Sequence, residues 1–115
     1  MRNAAARAGV AWLNLAVAGL FEIGWAIGLK YTDGFSRFWP SVLTVAAMVA
    51  SFVFLAQALK EIPVGTGYAV WTGIGATGTA ILGIVLFAES AALPRLACIG
   101  LIVVGIAGLK LTAEA

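Results

Sequence analysis

The chain has 115 residues, 63% of them hydrophobic and only 10% charged, with no histidine. A soluble domain carries about 25% charged residues, and a chain this short cannot hide so much apolar surface from water, so the composition excludes an ordinary soluble domain. A net charge of +2 with scattered Lys and Arg excludes nucleic acid as partner, and the lone Cys98, expected to serve packing, allows neither an internal disulfide nor a metal cluster.

The N-terminus has the basic start and apolar run of a signal peptide. That run, however, contains Glu22 and continues to Leu29 with no small-residue cleavage site after it. A retained first span over residues 11–29 is therefore predicted, behind a short mobile leader at 1–10. "KYTDGFSRFWP" interrupts it with charges, Gly34 and Pro40. The second span, 41–59, is uncharged, and "KEIP" makes a short turn. The third, 64–87, is uncharged and rich in glycine. "AESAALPR" breaks the pattern again, and the fourth span covers 95–111, with Arg95 and Lys110 near its ends and a tail at 112–115. Each run approaches the roughly 20 residues that cross a bilayer, and long basic side chains at the ends can snorkel. The fold class is an all-α membrane protein of four helices in a compact up-down-up-down arrangement.

Both termini and the second turn share one side, with Arg2, Arg7, Lys60 and Lys110; the other side has Lys30, Arg37 and Arg95. Orientation follows the Lys/Arg bias of short loops. Four against three is almost no bias, so the chain can insert both ways, and an antiparallel homodimer with its two-fold axis in the membrane plane becomes possible. Gly100, Ala107 and Gly108 form a small-residue stripe on the last span, suited to a dimer contact.

Asp33, Glu61, Glu89 and Glu114 lie in loops or at the end, whereas Glu22 sits mid-span in "GLFEIGWAIGLK". A charge at the bilayer centre costs at least about 2.5–3.5 kcal/mol on insertion scales. A carboxyl group there is stable when it holds a proton or a cation, and it can exchange one for the other. The plainer reading is a protonated Glu bonded to a neighbouring helix. Helical spacing puts Leu15, Ala18, Gly19, Trp25, Ala26 and Leu29 on its face. Gly19 leaves room one turn below. Trp25, one turn above, is either a packing aromatic or a donor to the carboxylate and a face for a cation. Ser51 in the second span either satisfies its own backbone or bonds Glu22. In "GTGYAVWTGIGATGTA", Tyr68, Trp71 and Gly75 share a face, with Thr72 and Thr79 on a neighbouring one; the aromatics are either packing or part of a cation box. Gly73, Gly75 and Gly78 thin the middle of this helix, where a bend is expected.

"LKYTDGFSRFWPS", "ASFVFLAQALKEIPVGTGYAVWTGIGA", the Glu in the first span and the short fourth span together resemble the small multidrug resistance family, over about residues 11–111. The resemblance implies a dual-topology homodimer in the bacterial inner membrane that exchanges protons for small cations by alternating access, with no cofactor, metal or catalytic residue. "FEIGWAIGLK", with Trp25 three residues after Glu22, and Lys110 in "GLKLT" are similar to the guanidinium-exporter branch. That branch implies competitive binding of substrate and proton at Glu22. It further implies hydrogen bonds from Trp25 and Ser51 to the Glu side chains, Tyr68 and Trp71 lining and gating the site, and Gly19 lining the same cavity. Guanidinium is planar and presents an N–H fork that fits a carboxylate bidentately. The chain departs from the family in its longer leader, in "FAESAAL" without the usual Lys and Pro, and in Gly24 and Gly28, which could widen the space for substituted guanidines such as methylguanidine, guanylurea or biguanides. The alternatives are a quaternary-ammonium or polyaromatic cation exporter of the same fold, a proton-carrying subunit of a larger complex, and an assembly or insertion factor.

Overall fold

The computed structural model describes residues 3–113; Arg2 and Glu114, which enter the reading above, lie outside the described residues. Four helices follow one another: α1 Ala4–Tyr31, α2 Phe38–Ala58, α3 Val64–Phe87 and α4 Leu93–Thr112. All are long and apolar enough to cross a membrane. The third matches its expected bounds. α2 begins before its apolar run and ends one residue short of it, α4 runs slightly past its run at both ends, and the largest difference is at the start of α1.

There the helix takes in residues 4–10, which were expected to form a separate leader. Asn3 caps it, its Oδ1 accepting a hydrogen bond from the Ala6 N–H at 2.8 Å. The alanine-rich stretch that follows favours helix. At 28 residues α1 is about 42 Å long, against about 30 Å of hydrocarbon, so a search for apolar runs finds only its membrane-depth part. The projecting turns meet the α2–α3 turn, with Arg7 3.6 Å from Glu61.

The breaks have local causes. Thr32 is buried; its hydroxyl donates to the Leu29 carbonyl at 2.8 Å and accepts from the Phe35 N–H at 3.2 Å. Asp33, Gly34 and Phe35 all adopt positive φ, which no helix can continue. Pro40 falls in the first turn of α2, where a missing N–H costs nothing. Pro63 precedes α3 and Pro94 lies in the first turn of α4. α3 ends on Ala88 in the left-handed conformation, and the chain folds back so that the Glu89 N–H reaches the Gly83 carbonyl at 3.2 Å.

The helices do not close into a compact bundle. α1 lies between α2 and α3, and α4 packs along α3, reaching α1 through Lys110 at its end. The resulting slab measures 45 × 36 × 18 Å. Its core is Ala11, Leu15 and Ala18 of α1 with Leu55 and Ala58 of α2, Ile62 of the turn, and Val70 and Trp71 of α3. No residue of α4 is buried. Cys98, expected to pack, is exposed on that helix.

Candidate functional site

α1 is flanked on both sides, and its mid-span carboxylate lies against α3. Successive residues of α1 and α3 interlock. Ile74 fills the space beside Gly19, the carboxyl group of Glu22 lies on Gly75, and Ile23 lies on Gly78. A Cβ at Gly75 would overlap the Glu22 carboxyl carbon and Oε1, so glycine there is what lets the acid fold against α3. The three glycines expected to bend α3 thus each seat a neighbouring side chain, Gly73 receiving Ile106 of α4. α3 itself is an uninterrupted α-helix from Val64 to Phe87.

Ser51 and Trp71 form the second part of the site. The Ser51 hydroxyl donates to the Ala18 carbonyl at 2.7 Å and accepts from the Trp71 indole N–H at 2.9 Å, all three groups being buried. A hydroxyl has one proton to give. With that proton on Ala18, Ser51 does not donate to Glu22, contrary to expectation, and instead locks α1, α2 and α3 together one turn from the acid. Rings continue from there: Tyr68 to Trp71 at 5.5 Å between centroids, Trp71 to Phe52 at 5.8 Å, and Phe52 to Trp25 at 6.4 Å. Trp71 is buried and Tyr68 is 56% exposed, so the row leads from the interior to the surface.

Two polar atoms at the centre have no hydrogen-bond partner, Glu22 Oε1 and Trp25 Nε1, although both are buried. The expected bond between Trp25 and Glu22 is therefore not made within the single chain. Leaving a buried donor or acceptor unmade costs about 1–3 kcal/mol, and such atoms in a folded protein call for a role. Here an acceptor and a donor lie one helical turn apart, both unpaired within the single chain.

Other expectations need correction. Gly19 lines no open space, since Ile74 occupies it. Gly24 and Gly28 open on the far side of α1, onto a groove of about 450 Å³ shared with Leu43, Thr44 and Ala47 of α2. Gly28 is covered by the Thr44 hydroxyl, and any widening lies away from Glu22. Sequence reading also passed over Phe52, which bridges the two tryptophans, and Gly75 as the seat of the acid. Nothing in the uncharged second span marks Phe52. Gly75 was on the aromatic face already, but its partner was not legible.

Lys110, noted for its place in "GLKLT", stacks its Nζ 4.9 Å over the Trp12 ring and ties the end of α4 to the start of α1.

Comparison with known proteins gives the same direction. Residues 10–102 match the family described as Small Multidrug Resistance protein. The chain is 63% identical over 102 residues to a protein of Yersinia pseudotuberculosis named guanidinium exporter, covering 89% of this chain and 98% of that one. Proteins of the same name from Escherichia coli K12 and Salmonella typhimurium are 62% identical over 103 residues and 59% identical over 105. These matches cover 90% and 91% of this chain, and 98% and 100% of those proteins. With four spans, a membrane-embedded acid on a glycine seat and a family match over most of its length, the chain belongs to the small multidrug resistance family.

Proposed function

We propose that this protein exports guanidinium across the bacterial inner membrane in exchange for protons. The observation that carries the reading is Glu22, seated on Gly75 at mid-span, with the unpartnered Trp25 N–H one turn away. The carboxylate accepts two parallel N–H bonds from the planar ion, and the indole offers it a π face. A proton on the same carboxylate removes the charge that the cation needs, so the two compete. The relatives' name supports guanidinium as cargo. Methylguanidine, guanylurea and biguanides retain the N–H fork and can follow the same route. Flexing of α3 at Gly73, Gly75 and Gly78 would move the seat of Glu22 and change which side it faces.

The test is transport in vesicles. Guanidinium should drive a pH change across the membrane, and its half-saturating concentration should rise as the pH is lowered, because protonated Glu22 no longer pairs with it. A half-saturating concentration that stays flat from pH 6 to 9, or a response to tetraalkylammonium but not to guanidinium, would sink this reading and favour the quaternary-cation exporter.

The working unit in this proposal is two identical chains in opposite orientations. Support comes from α4, none of whose residues is fully buried, with open space beside Gly100, Gly105 and Gly108, and from the balanced basic residues. Two copies would bring two Glu22 groups to one central space. A C-terminal tag should be accessible from both membrane faces in comparable amounts; detection on one face only would exclude the arrangement.

A further inference from the structure

A second carboxylate, exposed where the Glu22 Oε1 is buried, also rests on a glycine of α3. Gly75, Thr79 and Gly83 follow at i, i+4 and i+8, along one ridge of the helix. At about 1.5 Å per residue the ridge is about 12 Å long. Glu22 occupies its lower end, on Gly75. At the upper end the α3–α4 turn folds back and lays Glu89 on Gly83, Oε1 standing 2.5 Å from where a Cβ would be. Between them lies a cavity of about 340 Å³, bounded by Ala26, Ala76, Thr79, Lys30, Glu89 and Arg95. Ala26 is one turn beyond Glu22 and Ala76 is the neighbour of Gly75, so the cavity approaches the central acid. Thr79 Oγ1, midway along the ridge, is buried and without a hydrogen-bond partner.

Glu89 is the cavity's acidic group, and it is already holding a guanidinium. Arg95 Nη2 donates to Glu89 Oε1 at 2.8 Å, and Nη1 donates to the Ser90 carbonyl at 2.7 Å. Lys30 is drawn aside, its Nζ 5.5 Å over the Phe87 ring. The chain's own side chain therefore occupies the mouth with the chemical group of the ion proposed as cargo.

We propose that Glu89 is an outer waiting site for guanidinium, from which the ion displaces Arg95 before passing Thr79 to Glu22. The proposal rests on the guanidinium reading above. The exchange swaps one set of N–H···O bonds for an equivalent set, so occupancy is weak and reversible, as a site on a transport path must be. Thr79 offers its oxygen as acceptor to an N–H in passage. A quaternary ammonium ion has no N–H and cannot take Arg95's place, so the mouth selects planar donors before the central site does.

The experiment measures guanidinium transport by the full-length protein in vesicles for wild type, Glu89→Gln, Arg95→Gln and Glu22→Gln. Both turn variants break the same ion pair. A purely structural pair predicts that they behave alike. The waiting site predicts opposite shifts: Glu89→Gln raises the half-saturating concentration about five- to tenfold and Arg95→Gln lowers it, maximal rates staying within about twofold of wild type. The contrast should persist at about 0.5 M salt, where screening acts within about 4 Å and diffuse attraction is lost. Equal shifts, no shifts, or a contrast abolished by salt overturn the waiting site. Failure of the wild type to transport guanidinium overturns the parent reading instead, and Glu22→Gln reports on the central site separately.

Discussion

Glu22→Gln is expected to abolish proton-coupled guanidinium transport while leaving a folded, membrane-inserted protein. The amide has nearly the shape of the acid, so the contact with Gly75 is kept. What is lost is the charge. Removing one partner of a buried, hydrogen-bonded ion pair costs about 3–5 kcal/mol, equivalent to about 100- to 4,000-fold in affinity. The glutamine also cannot release a proton, so both halves of the exchange fail together. Guanidinium-driven pH change and guanidinium binding to detergent-solubilised protein should both disappear. Transport that survives at near wild-type rate would remove Glu22 from the mechanism and reopen the possibility of an assembly or insertion factor.

The second large effect is expected from the smallest change in the site. Gly75→Ala adds one methyl group where the Glu22 carboxyl now sits. Alanine is the better helix former by about 1 kcal/mol, so α3 should not be weakened by the exchange. The acid, at the end of a flexible side chain, must instead move off its seat. Guanidinium transport should fall about tenfold or more with the protein still folded. Glu22→Asp withdraws the carboxylate by one methylene and should impair transport by itself. Combined with Gly75→Ala, it should recover part of the loss, because the shorter acid leaves room for the methyl. Residues in contact couple by about 0.5–3 kcal/mol in such a cycle. Simple additivity of the two losses would show that Gly75 is not where the working carboxylate rests.

Much of the site was readable along the chain because a charge in an apolar run is a one-dimensional signal. Glu22 stands out with no knowledge of its neighbours, and helical spacing places Gly19 and Trp25 on its face, whereas Tyr68, Trp71 and Gly75 share a face only with one another. The errors share one cause. Spacing gives the angle of a residue around its own helix but says nothing about which helix lies at that angle. Gly19 and Gly75 were both small residues near the acid; only packing shows that Ile74 fills the first and Glu22 itself fills the second. Gly24 and Gly28 are close to Glu22 along the chain, yet they face α2 from the other side of α1. Ser51 lies near the middle of its span, as its position in the sequence implies, but its one proton goes to the Ala18 carbonyl.

In a soluble protein the polar face of each helix would have indicated which side turns to the core. A membrane helix is apolar all round, and that guide is missing. The amino-acid sequence by itself determined that there are four spans, that one of them carries a lone carboxylate, and that the basic residues are balanced between the two sides. Those are properties of composition and run length. Only the tertiary structure decided that α1 lies between α2 and α3, that α4 packs along α3, and that Glu22 rests on Gly75. It also decided that the last turn brings Glu89 back onto Gly83 along the same ridge, because a reversal at Ala88 depends on backbone conformation that spacing along a helix does not record.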